Sequence, residues 1–530
     1  MSKLDALKLC TLASMVTFAG CEGHSTALRI TNRDASPDGP AITTYFVDLN
    51  PLRQLDLIFM IDNSPSMAPK QAKLRENFPR LIAALKNPID DSLPDLRVAI
   101  IDSDLGTNGA YTNGSCGPKT VGTSTSNYGD MGKFQMIGAK ACGVTSSDAL
   151  WLEYTNGQPV NFTGEIDTVF ACLAGNLGTL GCGDEHQLQA FEFALVGKNL
   201  GNESQQKLLR PKANLGLVFL SDEDDCSAAQ NDGMFGDMPG LRGESASLRC
   251  VTRSGMCGGK NLSTSPPGYP TDAAFETPFT SCQARTDACP NALDGKSGTD
   301  TSAPTKCSPL RSIQRMADEI KALKAKADEQ LFVVGIFGWP LDESDLANTT
   351  FKIAPVPNPN TADTLHPQVY DAWPVCYDPD HQPSKVDPTT GFDTEAAGWG
   401  ATGGLRLSAF IDEFGDNGLK FSICQRDFSD SMRLIGGGLA RKMQNLCLPE
   451  IFAGYSSCTA NYLIPDSAGN DVLDPNVIPA CEPQASIYPC YGLGADPTLC
   501  PGSDFLVQLD RGPAANDPIK PGTRIQFRCQ

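Results

Sequence analysis

From Leu55 to Ile61 the chain is apolar at every position except Asp56, the pattern of a strand buried on both faces. Pro65 and Pro69 stop that run. From Gln71 to Leu85 apolar residues recur at Leu74, Phe78, Leu81, Ile82 and Leu85, which is helical spacing. The alternation continues, with strands predicted at 96–102, 215–220, 331–337 and 419–424 and helices at 184–199, 309–327, 404–414 and 428–446. Such alternation predicts an α/β fold: a doubly wound, mostly parallel sheet with helices on both faces.

Three long stretches interrupt the alternation, at about 104–159, 226–309 and 340–403. They are rich in Gly, Pro, Ser, Thr and Asn, and they carry nine cysteines from Cys116 to Cys376. Insertions of this length are functional or disordered unless cross-linked. Those that follow strand ends are expected to crowd one face of the domain. The domain itself is expected over 52–448. Beyond it, 449–530 loses helical periodicity and places Cys458, Cys481, Cys490, Cys500 and Cys529 among Pro- and Gly-rich turns, which predicts a small disulfide-stapled β-rich appendage. Five is an odd number, so at least one of these cysteines is expected to pair with the preceding domain.

The chemistry concentrates where predicted strands end. Asp62-x-Ser64-x-Ser66 follows the first strand directly, and Ser221-Asp222-Glu223-Asp224-Asp225 follows the strand at 215–220. Ligands of open α/β sheets bind at the carboxyl ends of strands. The side chains in these turns offer only oxygen, which suits Mg²⁺, Mn²⁺ or Ca²⁺ and not zinc or copper. Between the two lies a small-residue loop, Gly178-Thr179-Leu180-Gly181-Cys182-Gly183-Asp184-Glu185. Two plainer readings stand beside the metal site: serines that cap the following helix, and an acidic run that is simply solvated.

Together, the strand-ending Asp-Asn-Ser-Pro-Ser, the threonine loop and the second acidic strand end resemble the von Willebrand factor A domain and its metal-ion-dependent adhesion site, over about Arg53 to Cys447. The resemblance implies that Ser64 and Ser66 ligate the ion directly and that Asp62 acts at least partly through water. It also matches Thr179 to the family's threonine and Asp222 to its last aspartate. Asp184, Glu185 and Asp224 are supplementary candidates, the first two able to replace or supplement Thr179. Two departures stand out: Glu223 follows Asp222 where the family has Gly, and the stretch after Thr179 is rich in Gly and Cys. The family would also have an antiparallel edge strand, for which Trp151 to Thr155 is the candidate.

At the N-terminus, Lys3 and Lys8 precede a short apolar run ending in Phe18-Ala19-Gly20-Cys21. This reads as an export signal over 1–20, too short to span a membrane, and its ending looks like a bacterial lipoprotein signal with Cys21 as the lipidated residue. The polar stretch 21–51 reads as a tether. Removing Cys10 with the signal and Cys21 with the lipid leaves an even number of the 20 cysteines, as befits disulfides formed in an oxidising compartment. The formal charge of −20 would repel phosphate backbones, which argues against nucleic-acid binding.

Enzyme signatures fail. There is no Gly-x-Ser-x-Gly, no His-Glu-x-x-His and no complete phosphate loop. Of the four histidines, only His186 falls near the strand ends, and it reads as a surface helix residue. The sequence therefore leads to a non-enzymatic protein of the bacterial cell envelope, lipid-anchored at the outer membrane. Through a divalent cation, Mg²⁺ foremost, it would bind a protein or other macromolecular ligand offering a carboxylate. The alternatives are a structural envelope protein with a purely stabilising ion, and a metal-dependent hydrolase.

Overall fold

The computed structural model describes residues 42–49, 53–87, 91–107, 116–117, 119–121, 124–126, 129–197, 202–228, 246–258, 260–261, 281–289, 307–341, 353–357, 368–381, 398–443, 447–454, 457–467, 470–482, 487–496, 500, 504–514, 517 and 519–530. The expected signal, Cys21 and most of the expected tether lie outside the described residues.

Among the described residues the largest sheet has seven strands: β1 (Gln54–Ile61), β2 (Asp95–Asp102), β3 (Leu152–Thr155), β4 (Gln158–Pro159), β5 (Asn214–Leu220), β6 (Leu331–Phe337) and β7 (Gly418–Ser422), in the spatial order β7-β6-β5-β1-β2-β3-β4. Its alternating side chains feed two cores. Leu57, Phe59 and Ile61 face the helices Ala68–Ala84, Ile166–Asn176 and Ser429–Met443, while Ile58 and Met60 face Gln187–Leu195, Ile313–Lys321 and Leu405–Asp412. Burial on both sides explains why β1 tolerates almost no polar residue. Its one acid, Asp56, is held by Arg210 Nε at 2.8 Å and Lys324 Nζ at 3.6 Å.

The expected fold class, a doubly wound and mostly parallel sheet, is overturned. Of the seven sheets among the described residues, six are antiparallel throughout. Apart from the isolated bridges Ala288–Ser308 and Ala480–Tyr491, parallel pairing among the described residues is confined to β7-β6-β5-β1-β2 of the remaining one, where β3 and β4 run antiparallel. The physical reason lies in the insertions and the C-terminal region. Strands there that follow one another closely, such as Gly255–Cys257 and Lys260–Asn261, can pair only antiparallel because a parallel pair needs a crossover of a dozen residues or more, and strands distant in sequence, such as Thr43–Asp48 and Arg524–Cys529, meet antiparallel as well.

Several elements depart from the sequence pattern. The helix expected at 184–199 spans only Gln187–Leu195, because the preceding residues are drawn into a buried loop where His186 N donates to Ser103 O at 3.0 Å. The helix expected at 309–327 spans Ile313–Lys321, with the Ser312 side chain accepting from Arg315 N at its start. Ile166–Asn176 is a helix that no expectation covered, although Ile166, Val169, Phe170 and Leu173 form its buried stripe.

Part of the expected tether is also structured. Thr43–Asp48 is a strand pairing antiparallel with Arg524–Cys529, and it buries Tyr45 and Val47 at period two. It completes a four-stranded sheet with Cys458–Pro465 and Asp471–Ile478. Tyr45, Val47, Leu49, Leu448, Phe452, Ile525 and Phe527 give this C-terminal region a core of its own.

Nine disulfides cross-link the described residues. Within the second insertion the pairs are Cys226–Cys250, Cys257–Cys282 and Cys289–Cys307. Cys447–Cys500 is the bond between the C-terminal cysteines and the preceding domain. Cross-linking this dense marks a chain that folds in an oxidising compartment, hence an exported one. Among the described residues, no helix is long and apolar enough to cross a membrane.

Candidate metal centre

β1 ends at Ile61, and Asp62 N still donates to Leu220 O at 2.9 Å, so Asp62 sits where β1 and β5 finish side by side. Pro65 then opens a single tight turn, Pro65–Met67, before the helix Ala68–Ala84. Neither Ser64 nor Met67, at the two N-cap positions, makes a side-chain capping hydrogen bond. The serine hydroxyls turn to each other instead: Ser64 Oγ lies 3.3 Å from Ser66 Oγ, and Ser66 Oγ donates to Asp222 Oδ1 at 3.1 Å.

Asp62 is fully buried. Its Oδ1 accepts from Ser64 N at 2.8 Å and from Ser103 Oγ at 3.4 Å, and its Oδ2 accepts from Ser221 Oγ at 2.6 Å. Gln187 Nε2 donates to Ser221 Oγ at 2.8 Å, which fixes that hydroxyl. Burial, and then the neighbouring Asp222 charge, push the Asp62 carboxyl up to about 6, against the hydrogen bonds from Ser221 and Ser64. Asp222 is paired with Lys70, whose ammonium also donates to Gly400 O at 2.7 Å.

The three supplementary acids have separate surroundings. Asp224 accepts from Arg406 N at 2.9 Å and lies at the start of the helix Leu405–Asp412, so it serves that helix's free N–H groups. Burial holds its carboxyl up at about 7. Asp184 lies against the Cys116–Cys182 and Cys226–Cys250 disulfides, whose sulfurs have no thiolate to offer a metal. Burial raises it to about 6, and Arg249 opposes that shift. Glu185 faces the site. It is 1% exposed, and its carboxyl lies within hydrogen-bond reach of the Glu223 carboxyl, so that one proton can be shared between the two.

Thr179 lies half-buried in the loop that packs on the Asp62–Ser66 turn through Gly181 N to Asn63 O at 2.8 Å and Gln71 Nε2 to Gly178 O at 3.0 Å. Among the described residues it makes no hydrogen bond to Asp62, Ser64, Ser66 or Asp222. His186 is not a surface residue: it is buried, its Nε2 is 3.0 Å from Gly106 O, and burial lowers its pKa.

Sequence reasoning missed Lys70, Ser103 and Ser221. Ser221 stood at a strand end and was legible in principle. Lys70 was not, because a lysine in the first turn of a helix ordinarily reads as solvent-facing.

The set that converges is Asp62, Ser64, Ser66 and Asp222, while Glu185 feels the charges of Asp62 and Asp222 without joining them. All are oxygen donors, a hard-cation chemistry.

No family model matches the chain, and no curated protein matches it. Among solved structures it is similar to the pilus adhesin SpaC from Lactobacillus rhamnosus GG in its open conformation, at 9% identity and a TM-score of 0.27, covering 94% of this chain and 43% of that one. A second form of SpaC gives 9%, 0.29, 93% and 42%. The pilus adhesin RrgA from Streptococcus pneumoniae gives 11%, 0.27, 95% and 60%. The chain thus spans less than half the length of SpaC. Similarity of this degree defines neither a fold nor a function.

Proposed function

We propose that the protein is a lipid-anchored protein of the bacterial cell envelope that binds a macromolecular ligand through a divalent cation held by Asp62, Ser64, Ser66 and Asp222. The observation that carries this reading is the meeting of Asp62, Ser64, Ser66 and Asp222 from two strand ends, linked by hydrogen bonds through Ser64 N, the two hydroxyls and Asp222 Oδ1, with no helix-capping role to explain the serines. Ser66 is half-exposed and gives the centre its opening to solvent. A protein ligand would supply a carboxylate there, the resemblance to a metal-ion-dependent adhesion site being the ground for that step. The Ala-Gly-Cys ending supports the lipid anchor, and the outer membrane is the proposed location.

The test is calorimetric titration of Mg²⁺, Mn²⁺ and Ca²⁺ into the full chain and into Asp62→Ala. Saturable binding by the parent, lost in a folded mutant, is the expected result; no binding by the parent overturns the cation. Retention of an acidic peptide in the presence of cation, and its release by chelator, is the expected result for ligand capture.

A second reading, an ion that only stabilises the fold, is favoured by the segment 398–402. Its Gly400 O accepts from Lys70, and Thr402 N donates to Asp222 O at 2.9 Å, so an insertion covers one side of the centre. In that case chelation lowers the melting temperature and no peptide is retained.

A further inference from the structure

Leu180 is 81% exposed, and among the described residues no large apolar side chain is more exposed. A single leucine in water is ordinary. This one is fixed beside the candidate centre. Gln71 Nε2 donates to Gly178 O at 3.0 Å before it, and Gly181 N donates to Asn63 O at 2.8 Å after it. A Cβ at Gly181 would lie 1.9 Å from Asn63 Oδ1, so only glycine allows that approach, and Cys182 next to it is bonded to Cys116. The loop is thus pinned on both sides of Leu180 to the Asp62–Ser66 turn and the helix that follows.

The segment 398–402 stands on the other side. A Cβ at Gly398 would lie 3.4 Å from Ser66 O, and Gly400 O accepts from Lys70 Nζ at 2.7 Å. Trp399, between these two contacts, is half-buried. Its ring stacks on His381, with centroids 3.5 Å apart and planes 2° apart. Lys73 Nζ lies 5.6 Å from the ring centre, which puts the ring over the second turn of the helix Ala68–Ala84. Pairing of Gly400–Ala401 with Cys376–Tyr377, and the Cys376–Cys424 disulfide, hold this segment in place.

Strand order sets Leu180 and Trp399 on opposite flanks. The Leu180 loop continues to His186, whose N donates to Ser103 O just past β2, whereas Thr402 N donates to Asp222 O just past β5. The Asp62 turn follows β1, which lies between β5 and β2. Two strand spacings, about 10 Å, correspond to roughly three residues of extended peptide.

Resting on the cation reading above, we propose that Leu180 and Trp399 choose the ligand: an extended peptide segment whose acidic residue, seated at the ion, has an apolar residue one or two positions away on either side. The carboxylate alone discriminates little, because acids are common on protein surfaces. Apolar area buried against a leucine and a tryptophan adds affinity that only an apolar-flanked acid can gain.

The experiment uses the full chain in Mg²⁺ or Ca²⁺, whichever binds more tightly, and two synthetic peptides. One carries a single Asp between Leu and Phe, and the other carries the same Asp between glycines. Both are titrated into the parent, Leu180→Ser and Trp399→Ser, and cation affinity and a melting curve are taken for each protein. The parent is expected to prefer the apolar-flanked peptide by about tenfold or more, and each variant to give up most of that preference with its cation affinity unchanged. If the parent binds the cation but takes both peptides equally or takes neither, or if Leu180→Ser keeps the parent's preference, the inference falls and the cation reading stands. If the parent binds neither ion, both fall. Leu180 is solvent-exposed, so its variant keeps the test decisive should Trp399→Ser loosen the segment 398–402.

Discussion

Lys70 and Asp222 form an ion pair with side chains 2% and 3% exposed, beside the Ser64 and Ser66 hydroxyls. The helix that follows the Asp62 turn therefore returns an ammonium to the acid offered by the next strand end. Lys70 is an internal cation competing for the carboxylate that a metal would use.

Replacing Lys70 with Met separates those roles. Without metal, Asp222 is left buried and unpaired, and the loss of stability should be about 3–5 kcal/mol. With metal, the repulsion between ammonium and ion is gone, and affinity should tighten by about tenfold. Melting curves of the variant with and without saturating Ca²⁺ or Mg²⁺ should diverge far more than those of the parent. Equal cation shifts in the two proteins would show that Lys70 and the ion do not compete.

Asp62→Asn should act in the opposite sense. The amide keeps the shape of the carboxyl, and its oxygen can still accept from Ser221 or Ser64, but it contributes no charge to an ion. Because burial already disfavours the charged form of Asp62, the metal-free variant should melt no lower than the parent. Its melting temperature should not respond to cation or chelator. A full cation shift in this variant would remove Asp62 from the ligand set.

How much of this was legible in sequence differs from residue to residue, for physical reasons. Leu55 to Ile61 could be read because a strand buried on both faces leaves few alternatives, and the Asp62–Ser66 turn was conspicuous because it follows that strand. Thr43–Asp48 carried alternating Tyr45 and Val47, but its partner Arg524–Cys529 lies at the far end of the chain, and no local pattern reports so distant a pairing. Antiparallel strands in the insertions hid for a related reason, their short runs resembling loops. Glu185 and Asp184 are adjacent and chemically alike, and only the fold shows that one faces the centre while the other faces two disulfides.

The buried acids predict an unusual response to pH. Burial holds Glu192 at about 7 despite Arg311, Asp224 at about 7 and Asp184 at about 6. Each folded value lies above the unfolded one, so the folded chain binds more protons. The stability from these groups is fully present below the unfolded carboxyl range near pH 4 and is lost as pH rises through 6 to 7. In chelator, the protein should melt higher at pH 5 than at pH 7.5. A melting temperature that climbs over that interval would mean that these carboxyls are paired more favourably than their burial indicates.

Cys447–Cys500 predicts how the C-terminal region depends on the rest. The bond spans 53 residues, and Cys447 and Leu448 also pair with Leu506 and Phe505. Closing a loop of that length in the unfolded chain is worth about 4 kcal/mol by the chain-entropy estimate. The region nevertheless has its own core around Phe452, Ile525 and Phe527, and Cys458–Cys529 staples two neighbouring strands of its sheet. The double variant Cys447→Ser, Cys500→Ser should therefore fold, with a separate lower-temperature transition for the C-terminal region. Cation binding should be unchanged, because the centre lies at the strand ends of the large sheet. A single transition at the parent's temperature would show that the sheet contacts alone secure the region, whereas lost cation binding would show that the region supports the centre.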